Sequence, residues 1–126
     1  ITGVNAMKIS AAESVVMAAL WRRSPLTAEA IAAEVAQAQG WTEATVKTLI
    51  NRLLKKGAIA AARDGRRYLY RPVLAREAYV TAESQGLLDR LFDGRLAPLV
   101  SHFSQGGKLS PEDLAELKRL IAEIEE

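Results

Sequence analysis

The stretch TEATVKTLINRLLKKG, residues 42–57, runs straight into AIAAARDGRRYLYRP, residues 58–72, and the change of pattern between them decides the fold. In the first stretch Val46, Leu49, Ile50, Leu53 and Leu54 recur at three- and four-residue steps, which is one stripe of a helix. Thr42 stands where a cap accepts a free amide, and Gly57 where a helix end favours a left-handed residue. Thr45, Lys47, Thr48, Asn51, Arg52 and Lys55 occupy the other, polar face. In the second stretch the period drops to two: Tyr68 and Tyr70 alternate with Arg67, Leu69 and Arg71. Asp64-Gly65 between the two runs predicts the turn of a β-hairpin spanning Ala58 to Arg71. Alanine prefers a helix over a strand, so the turn and the second strand carry that assignment.

Working outward, Ser10-Ala11-Ala12-Glu13 is a capping box that opens a helix reaching about Arg23, with Ile9, Val16, Ala19 and Leu20 on one face. Ser24-Pro25 stops it. Leu26 is a lone extended apolar residue, and Thr27 caps a second helix through Gln39, which buries Ile31 and Val35 and ends at Gly40. Trp21 and Trp41 are expected to pack. Beyond Pro72 come helical segments from Ala75 to Phe92, from Arg95 to Phe103, and from Ser110 to the end. The last carries Leu114, Leu117, Leu120, Ile121 and Ile124 as a narrow seam of the kind that meets a partner helix. Three helices and a hairpin in this order make a winged helix-turn-helix. The fold expected is mainly α with a small β-wing: a DNA-binding domain over 7–72 and a helical dimerisation domain over 73–126. Ile1 to Ala6 carries no pattern and stays outside the fold, Met7 being the expected start.

Charge is divided as sharply as pattern. The chain has 17 basic and 15 acidic residues, a net charge of +2. Up to Arg71, 11 basic residues face 5 acidic ones, and after it 6 face 10. Eight of the basic residues lie between Lys47 and Arg71. Such asymmetry points to a polyanion-binding part joined to a module of another kind.

The remaining composition excludes much. With no cysteine and one histidine, His102, neither disulfides nor a closed zinc site are expected. No apolar run approaches the roughly 18 residues of a membrane helix, so a cytoplasmic location is expected. His102 has no serine-acid pair and no cysteine patterned near it, and Glu112, Asp113 and Glu116 suit a helix start better than a catalytic cluster. Gly106-Gly107 lacks the strand and Gly-Lys-Ser of a phosphate loop. No enzyme is expected, and no cofactor.

The third helix therefore has two tasks: one face packs, and the other offers donors to base edges in a major groove. Thr42, Thr45, Lys47, Thr48, Asn51, Arg52 and Lys55 are the candidate residues on that helix. Arg63, Arg66 and Arg67 are the candidates on the wing. Lys55, Lys56 and Arg71 join the wing arginines as expected phosphate contacts, which position a protein without reading sequence. A winged-helix module whose basic face binds an acidic protein is the alternative.

These residues resemble the penicillinase and methicillin-resistance repressors. The likeness rests on Ile9 to Glu13, Val16-Met17 to Leu20-Trp21, Trp41-Thr42 with Thr45 to Leu49, Arg52 to Ala58, and Asp64-Gly65-Arg66 to Tyr70-Arg71-Pro72. It continues in Leu91 to Gly94, Leu99-Val100 to Phe103 and Leu109-Ser110, covering almost the whole chain from residue 8. Ser14 stands where that family often has tryptophan. The resemblance implies a homodimeric repressor on a palindromic operator of double-stranded DNA, controlling antibiotic-resistance genes of the β-lactamase type. Leu88, Leu91, Phe92, Leu117, Leu120, Ile121 and Ile124 are the expected interface. It further implies that a membrane sensor-protease lifts repression by cutting the dimerisation half. The family's Asn-Phe bond corresponds here to His102-Phe103. The cysteine-rich metal-binding tail of the copper-responsive branch has no counterpart, so metal sensing does not carry over.

Overall fold

The computed structural model describes residues 8–125; the expectation for Ile1 to Ala6 and Met7 lies outside them. Among the described residues six helices and one two-stranded sheet follow in the order α1 (Ala11–Arg22), α2 (Ala28–Gln39), α3 (Glu43–Lys56), β1 (Ile59–Asp64), β2 (Arg67–Pro72), α4 (Arg76–Leu91), α5 (Leu96–Gln105) and α6 (Pro111–Glu125). The chain forms two compact units that divide between Ala82 and Glu83.

In the first unit each of the three opening helices starts on the cap the sequence supplies. Ser10 Oγ accepts from the Glu13 amide at 3.0 Å while Glu13 Oε1 accepts from the Ser10 amide at 2.8 Å. Thr27 and Thr42 cap α2 and α3 by accepting from the Ala30 and Thr45 amides. Gly40 and Gly57 end those helices at φ 72° and 80°, a region costly for any residue with a Cβ. Met17 and Leu20 of α1, Ile31 of α2 and Val46, Ile50 and Leu53 of α3 are essentially inaccessible and form the centre of the core. Trp21 and Trp41 pack partly buried against it, and the Trp21 indole donates to the Leu74 carbonyl at 2.9 Å.

The hairpin differs from expectation in one residue. Asp64 pairs with Arg67, so the two-residue loop is Gly65-Arg66 rather than Asp64-Gly65. Gly65 has φ 66° and is the only loop residue at positive φ, the pattern of a type II′ turn with glycine first. Ala60, Ala61 and Ala62 lie in a strand despite their helical preference, because each is registered against β2 and Ile59 is buried in the core. Tertiary pairing outweighs an intrinsic preference of this size. Leu26 is less solitary than its sequence suggests. It exchanges both backbone hydrogen bonds with Tyr70, at 2.8 and 3.0 Å, and so pins the segment between α1 and α2 to the wing. Leu74 is buried and Tyr79 packs on the same core, so the first unit extends beyond Pro72.

The second unit is different in kind. Asp93 and Gly94 turn the chain at φ 54° and 74° between α4 and α5. No residue of α4, α5 or α6 is buried. Leu91 is 63% exposed, Leu96 61%, Ile121 54% and Ile124 82%, although all four are apolar. No helix of the described residues is long and apolar enough to cross a membrane.

Candidate nucleic-acid interface

α3 divides as its pattern requires. Val46, Leu49, Ile50 and Leu53 are buried, while Thr42, Thr45, Lys47, Thr48, Asn51, Arg52 and Lys55 are all exposed. Burial of one stripe fixes the helix against α1 and α2, so the outer residues are held on a rigid element. Their side chains are unequally committed. Thr42 Oγ1 accepts from the Thr45 amide at 3.1 Å and lies 3.2 Å from Thr45 Oγ1, which ties it to the cap. Thr48 Oγ1 donates to the Ala44 carbonyl at 3.1 Å, leaving its methyl and lone pairs outward. Lys47 Nζ stands 3.9 Å from Glu43, a long exposed contact that exchanges readily for a phosphate. Asn51, Arg52 and Lys55 form no ion pair or side-chain hydrogen bond among the described residues.

On the wing, Arg63, Arg66 and Arg67 are exposed. Arg67 donates to Asp64 Oδ2 through Nε at 3.1 Å and Nη2 at 2.9 Å, which stiffens the hairpin end. Arg63 Nε donates to the Gly65 carbonyl at 3.3 Å, and its guanidinium stacks over Tyr68. α3 and the wing enclose a hollow of about 290 Å³ whose lining includes Lys47, Asn51, Arg66, Arg67 and Tyr68. Candidates separated by up to twenty positions in sequence thus share one wall. The sequence reading missed Tyr68; its signal was its place on the face of Tyr70, one step nearer the turn.

Lys56 leaves the set of expected phosphate contacts. Its Nζ donates to Glu13 at 2.5 Å and to the Lys8 carbonyl at 2.7 Å, so its ammonium is committed to the start of α1. Glu13 is buried, and burial of an unpaired carboxylate is costly, so the lysine is drawn inward. Among the described residues no group of three or more His, Asp or Glu is placed to hold a metal ion.

A buried three-helix core, a wing pinned beside the third helix and a polar outer face on that helix define a winged helix-turn-helix, the class of a DNA-binding regulator. The comparisons make this particular: residues 9–123 match the penicillinase repressor family, and the chain belongs to it. It is 31% identical over 116 residues to the penicillinase repressor of Bacillus licheniformis, covering 92% of this chain and 91% of that one. It is 28% identical over 114 residues to the methicillin resistance regulatory protein MecI of Staphylococcus aureus, covering 90% of this chain and 93% of the other. Among solved structures, the B. licheniformis repressor BlaI in monomeric form with the blaP half-operator superposes with a TM-score of 0.51 at 32% identity, over 57% of this chain and 88% of that one. The family is one of transcriptional repressors, not of enzymes.

Proposed function

We propose that this chain represses transcription as a homodimer on a two-fold operator, each protomer laying α3 in the major groove of one half-site. The observation that carries the reading is the outer face of α3, where every candidate reader is exposed on a helix whose other stripe is buried. Lys47 and Arg52 suit guanine, Asn51 suits adenine, and the threonine methyls suit thymine. Lys55, Arg63, Arg66 and Arg67 supply phosphate contacts, hence affinity without sequence information. The BlaI complex with a half-operator supports one protomer per half-site. Its work on DNA assigns it to the cytoplasm.

Dimerisation falls to the second unit, which begins at Glu83 and includes the last turns of α4. Leu88, Leu91, Phe92, Leu117, Leu120, Ile121 and Ile124 form its core, because helices that bury no residue while exposing so much apolar surface need a partner. The targets are resistance genes of the β-lactamase type. Repression ends when a membrane sensor-protease cuts His102-Phe103. That bond lies in the last turns of α5, where the His102 and Phe103 carbonyls accept from the Gly106 and Lys108 amides at 3.2 and 2.9 Å. Cleavage therefore begins with local unwinding of that helix end.

Selection of bound duplexes from a random pool, followed by a salt titration on the winner, tests the reading. The expected result is a palindrome whose affinity falls log-linearly with salt by counterion release. Absence of any duplex binding at low salt would overturn it and favour an acidic protein partner.

A further inference from the structure

We propose that the hollow between α3 and the wing seats one sugar–phosphate strand of the duplex, and that Tyr68 packs its ring on a deoxyribose there, held in place by Arg63. The inference rests on the DNA-binding reading and adds to it a contact that is neither basic nor directed at a base.

The register of the wing places the residues. Arg63 lies directly opposite Tyr68, and the alternation puts them on the same face as the Ala61–Tyr70 and Ile59–Pro72 pairs. That face is the core-facing one: Ile59 is buried and Tyr70 packs against the core. One step nearer the turn the core has ended, and Tyr68 is 47% exposed. The face nevertheless still looks toward α3, so Tyr68 shares the hollow with Lys47 and Asn51. The Arg63 guanidinium carbon stands 5.6 Å from the centre of the ring, within cation–π distance, and fixes its plane.

The occupant follows from chemistry. A helix in the major groove is bordered by a backbone strand, and an element beside that helix must meet it. Such a strand alternates an anion with an apolar sugar. The hollow offers both complements, cations at Lys47, Arg66 and Arg67 and a flat apolar surface at Tyr68. Glu29, on the α2 side of the same hollow, repels phosphate toward the wing arginines and leaves the sugar to the ring.

The test compares the parent with Tyr68→Ala, Tyr68→Phe and Arg66→Ala on the selected operator across a salt series, with hydroxyl-radical footprints of each complex. Tyr68→Ala is expected to weaken binding by roughly 5- to 30-fold, the range for truncating a packed aromatic contact, at an unchanged salt slope because no charge is lost. Tyr68→Phe is expected to bind like the parent, and Arg66→Ala to flatten the slope. The footprint of the parent is expected to protect one or two sugars per half-site that become reactive in Tyr68→Ala. Binding and footprint of Tyr68→Ala equal to those of the parent would overturn the proposal, as would Tyr68→Phe behaving like Tyr68→Ala. A parent that binds no duplex would instead overturn the DNA-binding reading itself.

Discussion

Glu13 of α1 and Lys56 at the end of α3 form an ion pair whose carboxylate is 2% exposed and whose ammonium side chain is 37% exposed. The pair joins the start of one core helix to the end of α3. Burial raises the Glu13 pKa, but the hydrogen bond and charge of Lys56 and the bonds with Ser10 outweigh it and leave the carboxyl below its usual 4.5. A carboxyl lowered in the folded state contributes stability that is present above the unfolded value and is lost as pH falls through the folded one. Denaturant unfolding between pH 7 and pH 3 is expected to show the parent losing stability that Glu13→Gln does not lose. At pH 7 the substitution should cost about 1 to 3 kcal/mol, since the lysine left behind still reaches water. Equal pH dependence in both proteins would show that the pair contributes nothing to folding.

Base reading and phosphate contact separate by their salt behaviour. Asn51→Ala or Arg52→Ala is expected to cost about 1 to 3 kcal/mol on the selected operator and to relax preference at particular base pairs. Arg66→Ala should weaken all duplexes alike and reduce the salt slope by about one unit. Filter binding on operator and random DNA distinguishes them; equal losses on both duplexes for Asn51→Ala would remove that residue from base reading.

Leu53 has no accessible surface and sits on the buried stripe of α3. Leu53→Ala is expected to destabilise the first unit by about 2 to 5 kcal/mol through lost burial and a residual cavity. Calorimetry would check this, and operator affinity measured well below the new melting temperature should change little.

Gly57 ends α3 at φ 80° with open space around its would-be Cβ, so a substitution there meets no neighbour and only the backbone objects. Gly57→Ala should therefore destabilise by about 1 to 2 kcal/mol, the cost of placing a side chain in the left-handed region. A neutral result would mean that the helix end relaxes to another conformation.

Ile121 and Ile124 are the most outward members of the α6 seam, 54% and 82% exposed. Ile121→Asp with Ile124→Asp is expected to give a monomer in sedimentation without melting the first unit. Truncation after His102 should do the same, and either form should lose ~10²- to 10⁴-fold in affinity for the full operator while keeping its half-site. A truncated chain that still dimerises and binds undiminished would refute relief by cleavage at this bond.

What the linear order of residues determined is the set of elements and their ends. Caps act within a turn: Ser10 on Glu13, Thr27 on Ala30, Thr42 on Thr45, and Gly57 closing α3 all involve residues at most four apart, so their physics is complete in the local sequence. The buried stripe of α3 was legible for the same reason, because a helical repeat places it whatever the rest of the chain does. The tertiary structure alone decided the fate of residues whose partners lie far along the chain. Lys56, one more cation in a basic run by sequence, turns inward because Glu13, 43 positions earlier, is buried without another charge to meet it. Leu26 became a rung of the sheet only when Tyr70 was brought beside it. Tyr68 and Tyr70 are equivalent in pattern and both line the hollow, and only the place where the core ends separates them: the Tyr70 ring is also held against packed side chains, while Tyr68 is 47% exposed. Periodicity reports which face a residue occupies, but not how far along that face the core extends, since that extent is set by contacts between elements.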